Sequence, residues 1–305
     1  MHFSTTASNQ PGSGTLVCEG SGNRAQFSRI HAQYPLKFVP TGAHANRLGA
    51  VYMLSYGGGI VSGDHFDIVV RVGPKAKLLL MTQGNTKIFK DIQRRLGLPP
   101  SSEQIIANYI AADATLLLMP DPVTSFRLSS FCSRQTFHLA SATTSKLVLL
   151  DWFNSGRITR GEKWLFQHYS SRIDVFVEGK LVLRDHMALD DKEKDNKDKD
   201  QPMTGPLTSY AGQLGPYSCF ATLIIVGITE SIEKLEKMSQ EQRFMASTQH
   251  RPLLWSTSPF LKGRGMLVRV AGMTTEQVRD FVKYDCLQEG LKPIVGDGMF
   301  TKILM

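Results

Sequence analysis

The stretch Tyr56–Val70 reads YGGGIVSGDHFDIVV and sets four glycines and an aspartate ahead of a run suited to a β-strand. A phosphate-binding loop would need a lysine and a following helix, so that backbone N–H groups and an ammonium meet the phosphate. Here Gly63 is followed by Asp64, a carboxylate that repels phosphate. A dinucleotide loop also needs a helix after its glycines, and this sequence has none there. Phe66, Ile68, Val70 and Val72 would face one side, and His65, Asp67 and Arg71 the other. That alternation is the signature of a half-buried strand. Gly57, Gly58, Gly59 and Gly63 therefore read as a structural turn that lets strands approach closely. Asp64 either belongs to that turn or brings a carboxylate to a polar cavity or a cation.

Outward from this turn the pattern stays β. Gly73-Pro74 ends the strand, and Lys75–Met81 starts another. EQIIANYIAADATLLLMP is ambiguous at its start and strand-like from Thr115 to Met119, where Pro120 stops it. QTFHLA and SKLVLLDWF are further strands, SRIDVFVEGKLVLRDHM reads as a hairpin turning at Glu178-Gly179, and CFATLIIVGI is a buried strand. Two helices follow. TESIEKLEKMSQEQRFMAS carries Ile232, Leu235 and Met238 on one stripe. TTEQVRDFVKYDCLQEG has a capping box, Thr274 with Gln277, and an apolar stripe of Val278, Phe281, Val282 and Cys286, with Gly290 as its stop. About a dozen strands and two late helices make a mainly β fold, with the helices in the C-terminal third. The lack of βαβ alternation argues against a Rossmann or TIM architecture, and no internal repeat at a fixed period is visible.

The 305 residues suffice for a large core. Residues 1–15 are small and polar, which predicts a disordered N-terminus without a secretory signal, ahead of one β-rich domain over 16–305. The run DDKEKDNKDKD, Asp190–Asp200, has six acids and four lysines. It cannot bury apolar area, so a mobile charged insertion is expected over 190–204. Apolar runs such as LLLM are too short to span a membrane. Four scattered cysteines without a CxxC pair suit reduced thiols in the cytoplasm. The eight histidines show no HxH or HxxxH spacing, which disfavours a tight zinc or di-nickel site and leaves no tightly bound cofactor in view. A formal net charge of +8 favours an acidic partner without choosing one. Basic residues are scattered and no RNA-binding signature appears, so nucleic acid is not expected.

Two further segments carry polar groups. LLLMTQGNTKIFK ends a strand with Thr82, Gln83, Asn85, Thr86 and Lys87, either an exposed loop or a surface that lines a passage. GRITRGE, Gly156–Glu162, sets Arg157 and Arg160 beside Glu162. The arginines could fork onto a partner's carboxylates, or Glu162 could pair with one of them. There is no P-loop and no GxSxG elbow. The residues alone thus favour a binding or scaffold protein over an enzyme. A cytosolic β-rich enzyme with an unreadable site, or a binder of an anionic partner, stays as the alternative.

Taken in order, the same segments resemble the urease accessory protein D family. They are YPLK (34–37), GGGIVSGDHFDIVV (57–70), LLMTQGNTKIFK (79–90), LLLMPDPVTSFRLSSF (116–131) and DWFNSGRITRGEKWLFQHYSSRIDVFVEGKLVLRDHMAL (151–189). Asp121 stands where that family usually has Glu, and the charged run at 190–200 resembles a eukaryotic insertion. The resemblance implies a helicoid stack of strands with a pair of helices. It implies a urease maturation chaperone that binds apo-urease and accessory proteins F and G, the latter a GTPase, and helps deliver nickel(II) in transit. On that reading Asp64 and Glu178 are transient metal contacts, with Thr82, Thr86 and Lys87 nearby. Arg157, Arg160 and Glu162, together with Val278, Phe281 and Val282 and the tail Pro293–Met305, are the candidates for docking accessory protein F.

Overall fold

The computed structural model describes residues 9–22, 24–42, 48–92, 102–190, 213–243 and 251–305. Most of the charged run, and the first residues of the chain, lie outside these. Strands β1 (Ser13–Ser21) and β2 (Arg24–Ala32) open the chain as an antiparallel pair, and β3 (Leu36–Pro40) and β4 (Leu48–Ser55) form a second. From β4 the chain coils. Each turn lays one strand in a larger sheet, a short strand at the corner and one strand in a smaller sheet. The turns are β4, β5 (Gly59–Ile60) and β6 (His65–Val72); β7 (Lys77–Met81), β8 (Thr86–Ile88) and β9 (Ser102–Ile110); and β10 (Thr115–Met119), β11 (Val123–Ser125) and β12 (Ser130–Leu139). A fourth, β13 (Lys146–Asn154) and β14 (His168–Val177), rounds its corner through a 3-10 turn at Ile158–Arg160. Successive turns stack in parallel on both sheets and at the corner.

The hairpin strand β15 (Lys180–Asp190) closes the smaller sheet, whose order is β15-β14-β12-β9-β6-β1-β2. The larger sheet is extended antiparallel by β16 (Cys219–Val226), β17 (Leu253–Phe260) and β18 (Gly265–Gly272), giving β17-β18-β16-β13-β10-β7-β4-β3. Helix α1 (Thr229–Arg243) follows β16. The chain ends in α2 (Thr275–Asp280), a π-helical segment Phe281–Leu287, α3 (Gln288–Val295) and α4 (Asp297–Lys302).

The apolar runs explain the layering. Leu78 and Leu80, Leu116 and Leu118, and Leu147 and Leu149 enter a core between the two sheets. Their neighbours Leu79 and Met81, Leu117 and Met119, and Val148 and Leu150 enter a second core, beneath the C-terminal helices. A strand buried on both faces must be apolar at every position, which is how a parallel, doubly covered sheet reads in sequence. The smaller sheet has one buried face, hence the clean alternation of β6.

The fold is mainly β, a coiled stack with helices in the C-terminal third, as expected. Several details differ. Eighteen strands are found among the described residues; the surplus includes the two- and three-residue corner strands β5, β8 and β11, too short to show periodicity. The ambiguous EQIIANYI is the strand β9. Strand β1 begins at Ser13, inside the segment expected to be disordered, because it pairs in parallel with β6 from Ser13↔Asp67 onward. Leu48, Lys77, Thr115 and Lys146 share one cross-strand row, but the loops between them differ in length, so the coil leaves no fixed repeat. Gly290 is not a stop. It lies buried within α3, where an added Cβ would come 2.4 Å from Ile228 and Ser231; the helix ends at Gly296, φ +81°. The capping box of Thr274 and Gln277 is formed.

Candidate functional site

A partly open cavity of about 50 Å³ lies between the sheets, room for a few water molecules. Its polar wall includes Thr82, Thr86, Asp121, Gln135, Asp151 and Tyr169. Asp121 follows β10. Its Oδ2 accepts a 2.7 Å hydrogen bond from Gly84 N–H, and its own N–H donates to Thr82 Oγ1 at 2.7 Å. Burial raises the Asp121 carboxyl above its ordinary pKa, and the bonds from Gly84 and Thr82 oppose the rise. Asp151 interrupts the apolar run of β13 on the cavity side. Burial pushes it up to about 6; a hydrogen bond from Ser171 lowers it and the charge of Asp185 raises it. Tyr169, stacked on Phe153 with ring centroids 4.4 Å apart, is driven upward by burial and by Asp151. Gln135 Oε1 is buried with no hydrogen-bond partner among the described residues.

From Asp151 a polar row leads to the rim. Asp151, Thr222 and Arg269 are register partners across β13, β16 and β18. Asp185 of the smaller sheet meets this row. It accepts from Thr222 Oγ1 at 3.4 Å and is ion-paired with Arg269, whose side chain is 56% exposed. The carboxylates thus step from the interior toward solvent through Asp185.

The site expected from sequence is divided by the structure. Thr82 and Thr86 reach the cavity; Asp64, Lys87 and Glu178 do not line it. Asp64 closes its own turn, with Oδ2 accepting from Val61 N–H at 2.9 Å and its N–H donating to Val61 O at 3.0 Å. Lys87 is exposed on β8. Glu178 caps the hairpin between β14 and β15, where Oε1 accepts from Ala142 N–H at 3.0 Å. Because β6 and β14 run the same way within the smaller sheet, Asp64 and Glu178 stand at opposite ends of it. The turn glycines are accounted for locally. Gly57, Gly58 and Gly63 adopt φ of +83°, +70° and +85°, and a Cβ on Gly59 would come within 2.4 Å of Lys87 O.

The docking candidates also separate. Arg157 forks onto Glu162, with Nε 2.8 Å from Oε2, and lies 4.0 Å over the Phe126 ring. That pairing holds Glu162 below the usual carboxylate range. Arg160 and Ile158 remain exposed on the same turn. Val278, Phe281 and Val282, expected to meet a partner, are instead buried against this chain's own larger sheet, at 0, 7 and 0% exposure. An amphipathic stripe cannot distinguish an internal sheet from a foreign surface, and here it is spent internally. The exposed side of this segment is marked by Tyr284.

Residues 10–292 match the family described as UreD urease accessory protein. The chain belongs to the urease accessory protein D family. It is 30% identical to urease accessory protein 4 of Cryptococcus neoformans var. grubii over 96% of this chain and 95% of that protein. It is 31% identical to urease accessory protein D of Arabidopsis thaliana, over 94% and 99% of the two chains. With the urease accessory protein UreD of Sorangium cellulosum it shares 33% identity over 89% and 78%. The family is one of accessory factors rather than enzymes. Among the described residues no helix is long and apolar enough to cross a membrane, and no group of three or more His, Cys, Asp or Glu side chains is placed to hold a metal ion.

Sequence reasoning missed Asp151 and Asp185 and passed over Asp121. The signal for Asp151 was present: one carboxylate inside LVLLDWF, a run whose other residues are buried on both faces. Asp185 could not be singled out, since its neighbours Arg184 and His186 are also polar.

Proposed function

We propose that this protein matures urease by holding the apoprotein together with accessory proteins F and G and by passing nickel(II) through its interior onto urease. The observation that carries the reading is the pair of carboxylates, Asp121 and Asp151, on the wall of a cavity between the sheets, with the charge of Asp185 felt at Asp151 and Asp185 itself paired with the exposed Arg269. A metal in transit must bind weakly enough to leave, which suits sparse oxygen donors better than a closed His/Cys cage. Asp151, pushed up to about 6, changes protonation state near neutral pH, and protonation would help it release a cation. Thr82 and Thr86 serve as neutral oxygen donors on the same wall. Nickel is cargo on this reading, and the work is done in the cytoplasm.

The test is the Asp151→Ala variant co-expressed with urease and the other accessory proteins. Urease matured with it is expected to contain less nickel while the complex still co-purifies. Loss of assembly would make Asp151 structural, and unchanged nickel content would remove it from the path.

A further inference from the structure

The four cysteines of this chain are not alike. Cys18, Cys219 and Cys286 are buried, and burial pushes all three thiols up, Cys18 and Cys219 to about 12. Thiols so placed are inert. Cys132 is only partly buried, on the outer face of the smaller sheet, where it takes no part in the cavity or its polar row. Its Sγ lies 3.4 Å from His168 Nε2 on the neighbouring strand. The other ring nitrogen, His168 Nδ1, lies 3.8 Å from Asp190 Oδ1, and the two residues are register partners on β14 and β15. A thiol, an imidazole and a carboxylate follow one another across three adjacent strands. This is the order in which a base activates a sulfur nucleophile and an acid orients the base.

The thiol sits among paired charges, with Glu103 its register partner on β9 and Asp190 beyond His168. Arg134, two residues along the same face, has a 62% exposed side chain, and its register partner Arg172 is 42% exposed. Each leans on one carboxylate, Glu103 and Asp174 respectively, and both keep guanidinium surface toward solvent.

We infer that Cys132 is a modification site at which His168 activates the thiol for exchange with a low-molecular-weight disulfide. The Sγ–H proton moves to His168 Nε2. The thiolate attacks one sulfur of the disulfide, a protein–ligand S–S bond forms, and the ligand's own S–S bond breaks. The departing thiolate takes the proton from the imidazolium. Cys132 is oxidised, one half of the disulfide is reduced to a thiol, and no other reactant is needed. A two-ligand metal clip is the competing use of the same pair, but Cys132 and His168 belong to no group of three candidate metal ligands among the described residues.

The experiment treats the full-length chain with glutathione disulfide and follows adduct formation by intact and peptide mass spectrometry. One glutathionyl group is expected on Cys132 ahead of the buried cysteines, and none there in Cys132→Ser. His168→Ala is expected to slow the reaction at pH 7 by roughly three- to tenfold and to steepen its rise with pH, since a smaller thiolate fraction is partly offset by greater nucleophilicity. Ser170→Ala, on the same strand and face, serves as the folding control and should react as the native chain does. Modification spread over the cysteines, or a rate indifferent to His168, would overturn the assignment. So would a nickel–thiolate absorption band formed with Ni²⁺ alone and lost in both Cys132→Ser and His168→Ala.

Discussion

Ser171 donates a 2.5 Å hydrogen bond to Asp151. The donor belongs to β14 of the smaller sheet and the acceptor to β13 of the larger one, so a single bond ties the fourth turn of the coil together at the cavity wall. It also gives the buried carboxylate one of few partners, against a desolvation cost that keeps its proton affinity high. This carboxylate therefore works against the fold at neutral pH.

That conflict gives a pH signature. The folded pKa of Asp151, about 6, exceeds its ordinary value, so the folded state binds this proton more tightly than the unfolded one. Its unfavourable contribution is absent at acid pH, grows as pH rises through roughly 4 to 6, and is complete above. The full shift is worth at most about 3 kcal/mol. Asp151→Asn keeps an acceptor for Ser171 and removes the charge. It is expected to raise stability by about 1–2 kcal/mol at pH 8, with the gain shrinking as pH falls through 6, measured by chemical denaturation at several pH values.

The glycine turn separates two kinds of glycine. Gly57 faces open space and needs only its positive φ, so Gly57→Ala should cost about 1 kcal/mol. Gly59 has no such freedom, because its Cβ would meet Lys87 O at 2.4 Å and the Phe89 ring at 2.6 Å in the ladder of β5 and β8. Gly59→Ala should cost roughly 2–3 kcal/mol, in the range of overpacked cores. Equal losses in thermal or urea unfolding would contradict the close packing of that corner.

These cases show what the sequence carries. Alternation in β6 and the capping box at Thr274 are local, and both were legible. The unbroken LLLM runs were legible as strands but not as a doubly covered sheet, since burial on the second face depends on helices more than a hundred residues away. The cavity is the least legible feature. Its wall draws on Thr82, Asp121, Asp151 and Tyr169 from successive turns of the coil, and no spacing in one strand announces that they converge. Asp64, the eye-catching carboxylate, serves its own turn.

The fork between Arg157 and Glu162 predicts an acid-sensitive corner. Glu162 also accepts from Arg127 N–H at 3.4 Å, so it fastens the turn after β13 to the loop after β11. With its folded pKa depressed, its contribution is present above the ordinary glutamate pKa and is lost as pH falls through the folded value. Glu162→Gln should cost about 1 kcal/mol at pH 7 and little once pH falls below the folded value. A loss of the same size at both pH values, by chemical denaturation, would show that charge does not matter there.

Truncating the tail looks from sequence like a clean way to remove a docking segment. The structure predicts otherwise. Residues 291–305 contribute Leu291, Val295, Met299, Phe300, Ile303 and Leu304 to the second core, all buried. Lys283 reaches into the same region, donating to Thr301 O at 3.0 Å with its ammonium 5.6 Å from the Phe300 ring centre. Each buried side chain of this size is worth about 1.5–3 kcal/mol, so their joint removal is comparable to the whole stability of an ordinary domain. Deletion of 291–305 should yield an aggregated or protease-sensitive chain, seen by limited proteolysis and size-exclusion chromatography, and any loss of accessory protein F with it would be uninformative. Substitutions that touch docking alone must lie outside that core. Tyr284→Ala and Arg160→Glu alter exposed side chains and should leave the unfolding midpoint within about 0.5 kcal/mol of the native value. Loss of pull-down by either one, with stability preserved, would place the accessory protein on that face; retention by both would move the docking surface elsewhere.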